Sequence, residues 1–121
     1  MKVIKLPRAP EKLAKVMDDF RSEPECACVY VGCGTDSIEG FIGSDLRPTE
    51  TAQIVCAAWE LSTKKTEITC IYSRHMVEHL TFEQALATFK DWHAALKVGG
   101  KVVVSIPNLV YHMKMYLELN P

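Results

Sequence analysis

Short apolar runs separated by polar or glycine-containing segments fill the middle of the chain. Each run is compact, and polar, glycine or proline residues bound it, which is typical of buried strands. The predicted strands cover Cys26–Val31, Phe41–Leu46, Gln53–Cys56, Glu67–Tyr72 and Lys101–Ile106. The first two links between strands hold only about seven residues each, too few for a crossover helix. We therefore expect one face of the sheet to be poorly covered.

The clearest helix signal follows the fourth predicted strand. Thr81 and Gln84 stand in a capping-box pattern, in which each side chain binds the backbone N–H of the other residue. An apolar stripe at helical spacing follows, consisting of Phe82, Leu86, Phe89, Trp92 and Leu96. We expect a helix that packs on the sheet through this stripe.

Two further helices are predicted near the ends of the chain. Pro10 suits a first helical turn, and the apolar residues after it predict an amphipathic helix to about Arg21, within an N-terminal helical extension over residues 1–22. The spacing over Val110–Leu119 predicts another helix, within residues 109–121. Strands mixed with helices in this way indicate one α/β domain, residues 1–121, with a mainly parallel sheet.

Composition and charge indicate where this domain is located and which partners are disfavoured. A chain of 121 residues builds one core, and its formal net charge of −1 gives no field that would attract nucleic acid. No stretch approaches the roughly 20 apolar residues of a membrane span. The N-terminus also lacks the apolar run of a signal peptide. We expect a cytoplasmic protein with no membrane partner, and the sequence gives no strong signal for nucleic-acid binding.

The five cysteines indicate buried, reduced thiols. Their number is odd, no CxxC spacing occurs, and most lie in or beside the apolar runs. This pattern does not favour a disulfide or zinc framework. The residues are Cys26, Cys28, Cys33, Cys56 and Cys70.

A glycine turn and an acid mark the ends of the first two predicted strands. Gly32 and Gly34 allow a ligand to approach the backbone, because they carry no side chain and tolerate the turn's dihedral angles. Asp45 ends the next strand, where its carboxylate can accept hydrogen bonds from ribose hydroxyls. A third glycine and a following helix are absent from the pattern, which disfavours a nicotinamide cofactor.

Four segments in order resemble the motifs of class I S-adenosylmethionine-dependent methyltransferases. Val29–Gly34 and Phe41–Asp45 resemble the first two motifs, Glu67–Leu80 is similar to the fourth strand with its E-H-L turn, and Leu96–Asn108 resembles the glycine turn and fifth strand. The resemblance covers about Cys26 to Asn108. It implies a Rossmann-like three-layer fold, truncated after the fifth strand, with S-adenosylmethionine as cofactor.

The resemblance also implies roles for individual residues. The glycine turn would face the methionine part of the cofactor, Asp45 the ribose, and the segment after the third strand the adenine. Two departures stand out, since Ala57 replaces an acid common in the family and Tyr30 replaces an acidic or amide residue; Trp59 could compensate by stacking on adenine. The implied cofactor-binding residues are Gly32, Cys33, Gly34, Asp45, Leu46, Ala57, Trp59 and Ser73.

His75, Glu78 and His79 form a separate cluster with several interpretations. His75 or His79 is the candidate catalytic base, because an imidazole titrates near neutrality. The HxxEH pattern also matches a class of zinc hydrolase. A third alternative is a divalent metal bound by these three residues with His112.

These patterns lead to two main hypotheses for function. The first is a methyltransferase that acts on a small-molecule or sugar acceptor, and the second is an inactive S-adenosylmethionine-binding module or subunit that a partner completes. A metal-dependent hydrolase is the remote alternative. The poorly covered sheet face and the free edge of the last strand predict a homo-oligomer.

Overall fold

A parallel sheet flanked by helices forms the body of the protein. The computed structural model describes residues 2–5 and 27–119. The sheet contains six strands in the order β1-β6-β5-β2-β3-β4, and each neighbouring pair runs parallel. The strands are β1 (Lys2–Lys5), β2 (Cys28–Val31), β3 (Phe41–Asp45), β4 (Ala52–Val55), β5 (Ile68–Arg74) and β6 (Leu96–Ser105). The predicted α/β fold with a parallel sheet is confirmed.

Helices follow the third, fourth and last of the predicted strands. Two short 3-10 helices cover Ala58–Thr63 and Val77–His79, and the α-helices are α1 (Phe82–Ala95) and α2 (Leu109–Leu119). All five predicted strands and the helices predicted around Thr81 and Val110 are present. The helix predicted from Pro10 to about Arg21 lies outside the described residues.

Strand β1 is an element that the sequence pattern did not predict. It pairs in parallel with β6, from Lys2 opposite Lys101 to Lys5 opposite Val104. The prediction of a sheet ending at the last predicted strand, with a free edge for self-association, was therefore wrong. The run Lys2–Lys5 has only two apolar residues, Val3 and Ile4, between lysines, so it lacks the longer apolar run that marks the predicted strands.

Helix α1 begins at a capping box and packs on the core through one face. The Gln84 N–H donates to Thr81 Oγ1 at 3.1 Å, and the Thr81 N–H donates to Gln84 Oε1 at 3.0 Å, so the predicted capping box is confirmed. The predicted apolar stripe is only partly correct. Phe82 and Leu86 are exposed, and the buried face instead consists of Thr88, Trp92 and Ala95.

The core on this side of the sheet lies between α1, the first 3-10 helix and the central strands. The Trp92 indole N–H donates to the carbonyl of Ala58 at 2.9 Å and joins the two helical elements. Asp91 accepts hydrogen bonds from both the N–H and the hydroxyl of Ser62. The buried residues of this core include Val29, Val31, Leu61, Ile68, Ile71, Trp92 and Val102.

The opposite face of the sheet is better covered than expected. The links over residues 32–40 and 46–51 contain no helix, as predicted. The centre of the face is nevertheless buried, and Ile38, Phe41 and Ala52 pack against it. Its buried residues are Cys28, Tyr30, Cys33, Cys70, Tyr72 and Val103.

The cysteines in the described part of the chain match the prediction of reduced, buried thiols. All four of them are free and buried: Cys28, Cys33, Cys56 and Cys70. Within the same residues, no helix is long and apolar enough to cross a membrane.

Candidate functional site

A cleft opens where the carboxyl ends of the central strands meet. The chain passes from β2 to β3 and β4 on one side, and then returns to β5 on the other side of β2. Ligands of open parallel sheets bind at such a reversal, because the loops after the two strands diverge there. The cleft has a volume of about 400 Å³. That size falls within the range of roughly 300–1,000 Å³ found for small-molecule sites.

Most of the site residues predicted from the sequence come together in this cleft. Seven of them line it: Gly32, Asp45, Leu46, Ala57, Trp59, His75 and His79. The lining also includes six residues that sequence reasoning missed, namely Val31, Cys56, Ala58, Met76, Leu80 and Gln84. Met76 and Leu80 belong to the same motif segment as the two histidines. That position in the sequence could have identified them as cleft residues.

Three predicted residues do not line the cleft. Cys33 directs its thiol toward Thr51 Oγ1, 3.8 Å away, and belongs to the core on the other face of the sheet. Gly34 lies one residue further into the turn. Ser73 is completely buried in β5, and its hydroxyl has no hydrogen-bond partner among the described residues.

The glycine turn after β2 is bound to the neighbouring strand through its own amides. The N–H groups of Gly32 and Cys33 both donate to the Ser44 carbonyl, at 2.8 and 3.1 Å. Gly32 and Gly34 have φ values of 74° and 57°, in the left-handed region that glycine tolerates best. A Cβ atom on Gly32 would lie 2.7 Å from Met76 Cγ. The space beside the Gly32 α-carbon is therefore filled by the Met76 side chain, and the Gly32 and Cys33 amides are not free N–H donors.

Asp45 connects this turn to the end of β3. Its Oδ2 atom accepts a hydrogen bond from the Gly34 N–H at 2.8 Å, and its Oδ1 atom accepts one from the Arg47 N–H at 3.0 Å. A carboxylate oxygen has two acceptor sites, so each oxygen keeps one for a ligand. The two backbone bonds fix the orientation of the carboxylate at the edge of the cleft.

The far end of the cleft is formed by the segment after β4. Ala57 is buried and Trp59 is half-buried, and both line the cleft. Because Trp92 and Asp91 of α1 bind the same 3-10 helix, this wall is held in place by tertiary hydrogen bonds. Burial raises the pKa of the Cys56 thiol, which keeps this part of the lining uncharged at neutral pH.

The two candidate catalytic histidines face Glu78 at the other end of the cleft. His75 Nδ1 and His79 Nε2 each lie 3.7 Å from the same oxygen, Glu78 Oε1. His75 has a left-handed φ of 51°, and its N–H donates to the Ser105 carbonyl at 2.8 Å. Both imidazoles are substantially exposed, at 49% for His75 and 77% for His79.

This cluster is not arranged as a metal centre. Across the described residues, no group of three or more His, Cys, Asp or Glu side chains is placed to hold a metal ion. The side chain of His112, the fourth candidate ligand, lies outside the described part of the structure. The geometry therefore gives no support to the hydrolase alternative.

Comparisons with known proteins give no information on the function of this chain. No protein-family model, curated protein or solved structure matches the chain. The resemblance of four motifs to class I methyltransferases thus stays a prediction, and the arrangement of the cleft carries the functional argument.

Proposed function

We propose that the protein binds S-adenosylmethionine in this cleft and transfers its methyl group to a small-molecule or sugar acceptor. The order of residues along the sheet edge carries the proposal. Trp59 follows β4, Asp45 ends β3, Gly32 follows β2 and His75 follows β5, and these strands are consecutive neighbours. Strands lie about 4.8 Å apart, so four of them span about 14 Å. Adenine, ribose, sulfonium and acceptor would follow one another in that order.

The chemistry of each position suits the part of the cofactor assigned to it. The Trp59 ring and the small Ala57 side chain favour a flat, apolar adenine. The free acceptor sites of Asp45 suit the two ribose hydroxyls. Gly32 and the Met76 side chain packed on it would form the surface beside the sulfur and the methionine arm.

The charge of the cleft favours a sulfonium nucleoside over a phosphorylated nucleotide. Among the described residues of its lining, Asp45 is a carboxylate and none is lysine or arginine. Phosphate groups are commonly bound by free backbone N–H groups or by cationic side chains. The amides of the glycine turn are already bound to β3 and its aspartate. A positively charged sulfonium needs neither kind of donor.

The two histidines are the candidate bases that would accept the proton of the methyl acceptor. A lone pair on an acceptor oxygen or nitrogen attacks the methyl carbon, and the carbon–sulfur bond breaks with its electron pair returning to sulfur. S-adenosylhomocysteine leaves, and the proton of the acceptor passes to the imidazole of His75 or His79. The rate would depend mainly on in-line positioning of the acceptor and the sulfonium methyl group.

Three finer statements belong to the same proposal. The reversal of strand order at β2 and β5 supports a Rossmann-like fold. The free cysteine thiols support a cytoplasmic location, where thiols stay reduced. The exposed apolar side chains of α2 support a homo-oligomer.

The alternative is a cofactor-binding subunit whose acceptor site a partner completes. One observation favours it: every side chain of α2 that the structure describes is exposed, including Val110, Met113, Tyr116 and Leu117. Helix α2 follows β6 at the same edge of the sheet as the cleft. None of its described side chains lines the cleft, so these side chains form no wall for an acceptor.

Calorimetric titration with S-adenosylmethionine and S-adenosylhomocysteine tests the proposal. We expect the wild-type protein to bind both, and Asp45→Asn to bind them much more weakly. Asp36→Asn is the matched control, because Asp36 also accepts hydrogen bonds from a backbone N–H and a side chain but lies outside the cleft lining. Absence of binding by the wild-type protein would contradict the proposal. An equal loss of affinity in both variants would show that Asp45 has no specific role.

A further inference from the structure

Met76 lines the cleft and packs on the glycine turn. Its side chain packs directly on Gly32, as the 2.7 Å approach to a Cβ built at that glycine shows. It is half-buried and also contacts the main hydrophobic core, which restricts its movement. His75 precedes it in the chain and also lines the cleft.

We propose that Met76 determines the size of the alkyl group that the site accepts on the cofactor sulfur. This inference rests on the proposed function. If the adenosine part lies over β4 and β3, the sulfonium lies over β2 and β5, and the wall at that point consists of Gly32 and Met76. The transferred group would point toward the histidines, and Met76 lies between His75 and His79 in the chain.

The packing of the Met76 side chain determines how strongly the site discriminates between a methyl and an ethyl group. A thioether chain fills an irregular space closely, yet it is backed here by a rigid glycine turn on one side and by the core on the other. An ethyl group in place of the methyl group would therefore meet Met76. One methylene too many in an apolar pocket costs roughly tenfold or more in binding.

Titration with S-adenosylmethionine and its S-ethyl analogue tests the inference. We expect the wild-type protein to prefer the methyl compound by roughly tenfold, and Met76→Ala to bind the two almost equally because the truncation makes room for one methylene. Met76→Val gives a smaller truncation that disturbs the core less. Leu46→Ala is the matched control, since Leu46 is an apolar residue at the ribose end of the same cleft. It should leave the preference unchanged.

The outcomes separate this inference from the proposed function. S-adenosylhomocysteine carries no alkyl group, so its binding reports on the cofactor site alone. If it binds and the preference is the same in wild type, Met76→Ala and Met76→Val, the role of Met76 is refuted and the cofactor site stands. If a preference also disappears in Leu46→Ala, the selection does not depend on Met76. If the wild-type protein binds none of the three compounds, the proposed function itself fails.

Discussion

Asp45 Oδ2 accepts a 2.8 Å hydrogen bond from the Gly34 N–H, and this bond joins the end of β3 to the turn after β2. The second carboxylate oxygen binds the Arg47 N–H, so one side chain orders two loops at the mouth of the cleft. The carboxylate that we assign to ribose recognition is thus held in place before a ligand arrives. Such preorganisation lowers the entropy that binding has to overcome.

Replacing Asp45 with alanine should therefore weaken the free protein as well as its ligand binding. Two charge-assisted hydrogen bonds are lost, and we expect the free energy of unfolding to fall by about 1–3 kcal/mol. Urea denaturation of wild type, Asp45→Ala and Asp45→Asn measures this change. An unaltered midpoint in Asp45→Ala would mean that the two loops are ordered by other contacts.

Gly34 in the turn after β2 and Gly43 in β3 should differ in their tolerance of a side chain. Gly34 has a φ of 57° but open space around it, so Gly34→Ala should cost only the left-handed conformation, about 1–2 kcal/mol. At Gly43 a Cβ atom would collide with the backbone carbonyl of Thr51 and crowd Cys33 Sγ, and we expect Gly43→Ala to destabilise the protein more. Thermal unfolding of the two variants provides the comparison. The reverse order would contradict this account of the turn.

Ser73 should be dispensable for the cofactor, contrary to its predicted role. Its hydroxyl is buried and has no hydrogen-bond partner in the described part of the chain, and such a group carries an uncompensated desolvation cost. We expect Ser73→Ala to bind S-adenosylhomocysteine like wild type and to be at least as stable. Ser44→Ala is the control, because Ser44 is equally buried but lies 4.0 Å from the Cys56 thiol. Impaired ligand binding in Ser73→Ala alone would restore the original prediction.

Tyr30 should make the protein sensitive to alkaline pH. Burial first, and then the negative charge of Asp36, raise its pKa from 10.0 to about 12. Because the folded pKa exceeds the unfolded one, this stabilisation is complete below about pH 10 and is lost as pH rises toward 12. Tyr30→Phe should lose stability less steeply over that window in denaturation curves. Parallel losses in wild type and variant would refute the assignment.

The sequence predicted the strands well because each apolar run is bounded by clear turn residues. It could not show which face of a helix is buried where contacts with a distant part of the chain decide this. In α1, Phe82 and Leu86 fit the apolar stripe, but the first 3-10 helix and Trp92 set the helix rotation and bury Thr88 instead. Strand β1 was missed because only two apolar residues, Val3 and Ile4, stand between its lysines.

The candidate site could be predicted only as far as its motifs extend. Gly32, Asp45, Trp59 and the histidines come together because parallel strands end at one edge. Ser73 is the last buried residue of β5, directly before the exposed Arg74, and single-sequence motifs do not give that depth. The contact of Met76 with Gly32 depends on two segments far apart in the chain.

Mapping of the bound cofactor by NMR tests the central claim most directly. At 121 residues the protein suits amide chemical-shift mapping during titration with S-adenosylhomocysteine. We predict saturable shifts at Gly32, Asp45, the Trp59 indole and His75, along one edge of the sheet. The amides of Gly99 and Gly100 should not move. Both residues line a separate cavity and lie in the irregular part of β6, before its regular pairing with β5 from Lys101. No shifts, or shifts confined to those two glycines, would contradict the account.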